Sequence, residues 1–270
     1  MKPQIPIIEL GTVVPGAVAL NSNDKGVNET FIGHVDIDTT RHKAYIKVLD
    51  TKQLANELLA NTLGRILQLP MPRGFLLKVR PVDLPDSVIL KNFGQEAIVF
   101  GTQSLKHPSL LRHFKGNGEE VNKWIKANFN LLDEVIVFDD FVANVDRNQG
   151  NLLVGGAGQV WLIDHGHCFT GCDWKISSLI PNAKYTNKMA NEFSGKLSLS
   201  ERMKLKEKAK NYAEALDKVD KKAAINACHL NQLLPSDELE ALEKFIVERV
   251  NHIVNIISDR VGVPTLGGGA

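Results

Sequence analysis

Cysteine is scarce in this chain of 270 residues, and its scarcity excludes a protein held together by disulfide bonds. The three cysteines are Cys168, Cys172 and Cys228. A small and odd number cannot form a disulfide framework and is typical of a reducing compartment. Two histidines, His165 and His167, stand beside the first cysteines, but the spacing contains no Cys-x-x-Cys or His-x-x-x-His pair, which disfavours a zinc site.

The chain also lacks an excess of charge of either sign and a long apolar run. Lys and Arg number 32 against 31 Asp and Glu, so the formal net charge is +1. This balance gives no electrostatic reason to expect binding to nucleic acid or to an anionic membrane. No stretch of about 18 apolar residues is present, and the N-terminal MKPQIPIIELG lacks the features of a signal peptide. We therefore expect a cytoplasmic protein.

Strand patterns dominate the first hundred residues. The segments that read as strands are residues 12–20, 31–37, 42–49, 74–79 and 96–100. Between residues 51 and 69 the apolar positions take helical spacing and stop at Pro70, which indicates one helix. The sequence therefore predicts an antiparallel sheet that carries a single helix.

Helical patterns dominate the remainder of the chain. Residues 121–142 read as one helix, Ser198 is a candidate N-cap for a second, and Ser236 for a third that runs to about Arg260. We expect an α+β fold with two lobes. Its parts would be a nucleotide-binding N-lobe at residues 1–101, a helical catalytic C-lobe at residues 102–264 and a flexible tail at residues 265–270.

The most informative segment is NVDRNQGNLLVGGAGQVWLIDHG, residues 144–166. It reads as a polar loop, a strand, a Gly-rich turn and a strand that ends near an acid. Asp146 can act as a general base for a hydroxyl, while Asn151 and Asp164 offer an amide oxygen and a carboxylate to Mg²⁺. Taken alone, Asp146 would be read as a turn residue. Together and in this order, Asp146, Asn151 and Asp164 supply the minimum set of groups for moving a γ-phosphoryl group.

Two further residues fit a nucleotide site. Lys47 lies among apolar strand residues, where a cation is costly to bury unless it is paired with an anion. Glu57 follows on the helix and is its natural partner, although an exposed Lys and an exposed helix Glu would give the same pattern. The turn at residues 21–26, which includes Ser22, could donate backbone N–H groups and a hydroxyl to phosphates, or could be an ordinary hairpin turn.

The order of Lys47, Glu57, NVDRNQGN and LIDHG resembles the HipA-like kinases and their relatives, the actin-fragmin and phosphoinositide-type kinases. These are distant variants of the protein-kinase fold. The resemblance implies that ATP and Mg²⁺ are cofactors, that Glu57 holds the ATP-binding Lys47, and that Asp146 is the catalytic Asp. It also implies Asn151 and Asp164 as the Mg²⁺ ligands. The segment Phe100-Gly101-Thr102 would be a hinge whose backbone meets adenine.

The chain departs from this family in two respects. Asn148 stands where such kinases usually carry His, two positions after the catalytic Asp, and we expect no counterpart of the extra N-terminal subdomain of full-length HipA toxins. Because of these departures, toxin activity and an antitoxin partner do not carry over safely from the family, and an antitoxin-like regulator stays an open expectation.

Together these observations predict an ATP-dependent kinase that phosphorylates a hydroxyl, with Ser or Thr of a protein favoured as the acceptor. Three alternatives stay open. The chain could be an ATP-binding pseudokinase or scaffold that does not transfer phosphate. It could be a kinase for a small-molecule or lipid hydroxyl, although no basic amphipathic helix favours a membrane lipid. It could also be an AMP-transferase on the same fold.

Overall fold

The computed structural model describes residues 4–20 and 28–264. Within these ranges, strands fill the N-terminal part and helices the C-terminal part. The strands are β1 (Glu9–Val13), β2 (Val18–Ala19), β3 (Thr30–Ile37), β4 (Thr40–Lys47), β5 (Gly74–Val79), β6 (Ala97–Gln103), β7 (Leu152–Val154) and β8 (Val160–Leu162). The helices are α1 (Thr51–Ile66), α2 (Val88–Phe93), α3 (Leu110–His113), α4 (Gly118–Asn128), α5 (Leu132–Phe141), α6 (Lys188–Phe193), α7 (Leu199–Asp217), α8 (Lys221–Ala227), α9 (Ser236–Arg249) and α10 (Ile253–Val261).

The N-terminal sheet closes on itself. Its strand order is β1-β5-β6-β4-β3-β2, and β1 pairs with β3 as well as with β5. Five strands thus form a small barrel, and the side chains inside it, among them Phe31, Val35 and Phe75, make a separate apolar core. The predicted strand at residues 12–20 is in fact two strands, because Pro15 and Gly16, whose φ is +97°, interrupt the extended backbone between them.

Helix α1 connects this barrel to the rest of the molecule. Its N-terminus is capped by Asp50, whose Oδ1 accepts from the backbone N–H of Gln53 at 2.9 Å. Nearly all of its side chains are buried, and its apolar residues join a large core that continues into the helices after residue 110. A second, short helix, α2, corrects the expectation of one helix in the sheet-rich part.

The helical part presents a polar loop and a two-stranded hairpin. Helix α5 leads into the loop at residues 142–148, and β7 and β8 then pair antiparallel with Leu152 opposite Leu162. The helix predicted at residues 121–142 is two helices, α4 and α5, and the one predicted from Ser236 to Arg260 is likewise two, α9 and α10. Helix α7 begins as expected at Ser198, whose hydroxyl accepts from the N–H of Glu201.

The predicted boundary after Gly101 falls inside β6, which continues to Gln103. The predicted tail at residues 265–270 lies outside the described residues. Along residues 4–20 and 28–264, none of the helices combines the length and the apolar character that crossing a membrane requires.

Candidate functional site

The ion pair expected between Lys47 and Glu57 is present. Lys47 is the last residue of β4, and its Nζ donates to Oε1 of Glu57 on α1 at 2.7 Å. The exposed fractions of the two side chains are only 16% and 2%. Because an unpaired charge at this depth would be costly, each partner helps to keep the other ionised.

Asp164 is a second anionic partner of Lys47. Its Oδ1 lies 2.9 Å from Lys47 Nζ, and its own side chain is 40% exposed. Its φ is +62°, in the left-handed region that non-glycine residues seldom occupy, so the backbone turns sharply after β8. Burial alone would lower the pKa of Lys47, but the carboxylates of Asp164 and Glu57 outweigh it and hold that pKa above its usual value. Lys47 is therefore a permanent cation.

Glu57 also binds the residue that follows Asp164. Its Oε2 accepts from the backbone N–H of His165 at 3.0 Å and lies 3.6 Å from His165 Nδ1. Burial would raise the pKa of Glu57, but Lys47 and His165 together hold it below its usual value. Burial and the nearby Arg147 cation lower the pKa of His165, so its ring is neutral at neutral pH. Glu57 thus fixes β4, α1 and the Asp164 turn relative to one another.

The loop that carries Asp146 is held by its own asparagines. The N–H of Asp146 donates to Asn144 Oδ1 at 3.1 Å, and the Asp146 carbonyl accepts from the side-chain amides of Asn148 and Asn151, both at 3.0 Å. Asn148 Oδ1 further accepts from the N–H of Gly150 at 2.8 Å. Asn148, the departure from the HipA pattern, therefore supports the backbone of the loop.

A buried pair within this motif was not anticipated from the sequence. Arg147 and Asp139 are both fully buried and form an ion pair at 3.1 Å. Arg147 Nη1 also donates to the carbonyls of Ile163 at 2.7 Å and Asn151 at 3.3 Å. It ties the Asp146 loop to the end of β8. The only hint in the sequence was that Arg147 is the single cation of this polar loop.

A second unanticipated residue is Lys188, at the start of α6. Its Nζ lies 2.5 Å from Asp146 Oδ1, and the two side chains are 48% and 33% exposed. The two residues are separated by 42 positions. Nothing in the composition around Lys188 distinguished it from other surface lysines.

Most of the expected nucleotide-site residues line one cleft of about 350 Å³. Lys47 and Glu57 form part of its wall, and the other expected residues that line it are Phe100, Thr102, Asn151 and Asp164. A smaller depression of about 240 Å³ shares Gly150 with this cleft and is lined by Lys188 and by residues 147–150 of the loop. Asp146 itself lines neither cavity. Ser22 lies outside the described residues.

The segment expected to be a hinge needs correction. Phe100, Gly101 and Thr102 lie within β6 and are paired with β4 on one edge and β5 on the other. In a strand with two neighbours the backbone N–H and C=O groups are used by the sheet, so they are not free for adenine. Phe100 and Thr102 still line the cleft. The connection between the two parts of the chain begins after Gln103.

Asn151 and Asp164 fit a magnesium ion. The nitrogen of the Asn151 amide is taken by the Asp146 carbonyl, which leaves the amide oxygen as the ligating atom. Among the residues that the structure describes, no group of three or more His, Cys, Asp or Glu side chains could hold a metal. Mg²⁺ commonly uses one or two protein ligands and completes its shell with water and phosphate oxygens, so this two-residue set suits it.

The comparisons with known proteins agree with this geometry. Residues 23–223 match the family described as phosphatidylinositol 3- and 4-kinase. Among solved structures, a similar one is the proinflammatory kinase CtkA of Helicobacter pylori, with a TM-score of 0.56 and 13% sequence identity. The similarity covers 93% of this chain and 98% of that one. No curated protein matches the sequence.

At this identity the likeness to CtkA shows a shared fold, sheet-rich in its N-terminal part and helical in its C-terminal part. The expectation of a kinase-like family is confirmed, whereas a specific relation to HipA stays a prediction. Because the family match spans most of the sequence, this chain belongs to the phosphatidylinositol 3- and 4-kinase family.

Proposed function

We propose that this protein is an ATP- and Mg²⁺-dependent kinase that transfers the γ-phosphoryl group to a hydroxyl, with Ser or Thr of a protein as the acceptor. One observation carries the proposal. Lys47 contacts Glu57 at 2.7 Å and Asp164 at 2.9 Å, and these residues line a single cleft together with Asn151. Four groups from separate stretches of the chain thus meet where a triphosphate would lie.

The residues of the cleft have distinct roles in binding. Lys47, held by Glu57, would contact the α- and β-phosphates as a point charge. The side chains of Phe100 and Thr102 would contact the base, and the chain after Gln103 would supply backbone groups to its edge. Asn151 and Asp164 would hold Mg²⁺, which neutralises phosphate charge when it is bound.

Asp146 is proposed as the general base. Its backbone is fixed by three hydrogen bonds with the asparagines of its loop. Its carboxylate contacts Lys188, which lines the depression that shares Gly150 with the cleft. It would orient the acceptor hydroxyl and take its proton as the oxygen attacks the γ-phosphorus. Positioning and charge neutralisation account for most of the catalysis in such transfers.

The charges beside Asp146 favour a side-chain hydroxyl over a polyanionic head group. Two cations line the depression, and one of them, Arg147, is committed to the buried Asp139, so only Lys188, beside Asp146, remains there. The third charged residue of this lining, Glu192, adds a negative charge and accepts from Asn122 at 2.6 Å. A head group with several phosphates would need several free cations at this place. The charges therefore disfavour a head group with several phosphates and are compatible with Ser or Thr as the proposed acceptor.

A lipid kinase is the second candidate. It is favoured by the family match, whose description names phosphatidylinositol kinases. The two candidates share the nucleotide cleft and differ only in the molecule that presents its hydroxyl to Asp146.

The role of Asp146 is tested by Asp146→Asn, with Asp173→Asn, whose side chain is 82% exposed, as the matched control. We expect the turnover of Asp146→Asn to fall by on the order of 10²–10⁴, because a general base is lost, while Mg-ATP still binds. Turnover would be measured with γ-labelled ATP, and binding by calorimetry. Wild-type turnover in Asp146→Asn would remove Asp146 from the mechanism.

The acceptor is tested with the wild-type protein, a Ser/Thr peptide library and phosphatidylinositol vesicles. Transfer of γ-label to peptides is expected. Transfer to the vesicles alone would establish the lipid kinase instead. Label appearing only from α-labelled ATP would establish an AMP-transferase, and binding of ATP without transfer to any acceptor would establish a pseudokinase.

A further inference from the structure

Lys188 is the side chain that contacts the carboxylate of Asp146. Its Nζ donates to Asp146 Oδ1 at 2.5 Å, and both side chains are partly exposed. Exposed ion pairs of lysine are usually weak and variable, so contact alone would carry little weight. The way the chain positions Lys188 distinguishes it from an ordinary surface lysine.

The residue before Lys188 is locked into the interior. Asn187 is fully buried, and its Nδ2 donates to the carbonyl of Ile136 on α5 at 2.9 Å. Its Oδ1 accepts from the N–H of Ala190 at 2.9 Å and caps α6. Helix α5 is also the helix that leads into the Asp146 loop. The backbones of Lys188 and Asp146 are therefore fixed to the same helix.

The chain ahead of Lys188 is anchored as well. Arg249 is fully buried and donates to the carbonyls of Pro181 at 2.7 Å and Ala183 at 3.0 Å. Arg260 donates to the carbonyl of Tyr185 at 2.8 Å and forms a bidentate pair with Asp140. The anchored chain holds the backbone of Lys188 in place, while its flexible four-carbon side chain allows the ammonium group to move.

The position of this ammonium complements that of Lys47. Lys47 lies in the main cleft, whereas Lys188 lines the depression that shares Gly150 with that cleft, and Lys188 contacts the proposed base. Arg147 also lines this depression, but its charge is used by the buried Asp139. Of the two cations that line this depression, Lys188 is thus the one placed to meet negative charge that develops on the acceptor side of the transferred group.

We propose that Lys188 is a catalytic residue that leaves Asp146 when ATP and acceptor are bound and contacts the transferred phosphoryl group. In this step the acceptor oxygen bonds to the γ-phosphorus and its proton passes to Asp146. The bond from that phosphorus to the bridging oxygen breaks, and the electron pair leaves with ADP. Lys188 stays protonated and neutralises charge on the phosphoryl oxygens. The inference rests on the proposed kinase function.

The test compares Lys188→Met with Lys184→Met, an exposed lysine of the same segment. We expect kcat of Lys188→Met to fall by on the order of 10²–10³, the range for loss of one group that stabilises transition-state charge. The KM for ATP should change little, because Lys47 and the metal ligands are untouched. Lys188→Arg should keep part of the activity. The melting temperature of each variant shows whether it has folded.

A chemical rescue separates a contact with phosphate from a merely structural role. Lys188→Cys in a Cys172→Ser background is treated with bromoethylamine, which rebuilds a lysine-like ammonium at position 188. The other two cysteines, Cys168 and Cys228, are buried. Recovery of kcat after treatment supports the proposal. Failure to recover, or a wild-type kcat in Lys188→Met, overturns it.

These outcomes are distinguishable from failure of the proposed function. If the wild-type activity is lost in Asp146→Asn but kept in Lys188→Met, the proposed role of Lys188 is wrong and the proposed kinase function stands. A wild type that binds ATP and transfers nothing removes the kinase proposal, and the role of Lys188 with it.

Discussion

Lys47 and Glu57 depend on one another because neither charge is well solvated. Lys47→Met keeps the volume of the side chain but leaves Glu57, which is 2% exposed, without its cation. We expect the free energy of unfolding to fall by about 3 kcal/mol, at the lower end of the range for breaking a buried pair, since the N–H of His165 still donates to Glu57. Urea unfolding measures this change.

Two controls make the result specific. Lys78→Met on β5, where the lysine is 61% exposed, should change the free energy by less than about 0.5 kcal/mol. The double variant Lys47→Met with Glu57→Leu should be more stable than Lys47→Met alone, because no buried charge is then left unpaired. A double variant that is less stable than the single one would contradict this account of the pair.

At the scale of single residues, the sequence was informative where the pattern that predicts a contact is local. A lysine flanked by apolar strand residues and a helix with one glutamate 10 residues later were enough to pair Lys47 with Glu57. The spacing of Asp146, Asn151 and Asp164 could likewise be read from one stretch. Lys188 could not be found in this way, because its contact with Asp146 depends on how two distant segments attach to α5.

At the scale of elements, Asn56 links α1 to the segment after the metal-ligand turn. This buried side chain donates to the carbonyls of Gly166, Cys168 and Gly171 at 2.8, 2.9 and 3.0 Å. Its Oδ1 accepts from the indole N–H of Trp174 at 2.9 Å. Because Glu57 is the next residue, the ion pair and the loop after Asp164 are carried by adjacent positions of one helix.

Asn56→Ala should therefore loosen residues 166–174. Each buried group left without a partner costs about 1–3 kcal/mol, so the loop is expected to open more often and its amides to exchange faster. Hydrogen exchange read by mass spectrometry measures this. In the control, Asn61→Ala removes one bond on the same helix, to the carbonyl of Pro72. Equal protection of residues 166–174 in the Asn56 variant and the wild type would refute the link.

The sequence was less informative about how elements end and meet. The apolar residues Phe129 and Leu131 continue the helical pattern, so the period alone could not show that α4 stops at Asn128 and that α5 begins at Leu132. At the break, the side-chain amide of Asn128 donates to the carbonyl of Trp124. The closure of the barrel depends on β1 pairing in parallel with β5 and antiparallel with β3. Such pairings join residues far apart in sequence, and no local periodicity records them.

For the whole molecule, the central question is whether the sheet-rich and helical parts unfold together. Helix α1 belongs to the large apolar core, which includes Phe138 of α5 and Ile225 of α8. The N-terminal backbone is attached to the helical part too, since the N–H of Ile8 donates to the carbonyl of Ala227 at 3.0 Å. If the barrel separated from these helices, the buried face of α1 would be exposed to water. We therefore expect the two parts to unfold as a single cooperative unit.

Leu58→Ala tests this cooperativity at the centre of α1. Leu58 is fully buried in the core that both parts share, so its truncation should lower the free energy of unfolding by about 2–5 kcal/mol. Calorimetry should show one transition that moves to lower temperature as a whole, while Leu199→Ala, at a leucine that is 71% exposed, leaves it nearly unchanged. If the variant instead unfolds in two steps, with one part melting before the other, α1 does not join the two parts into one unit, and the shared core would have to be weaker than its burial indicates.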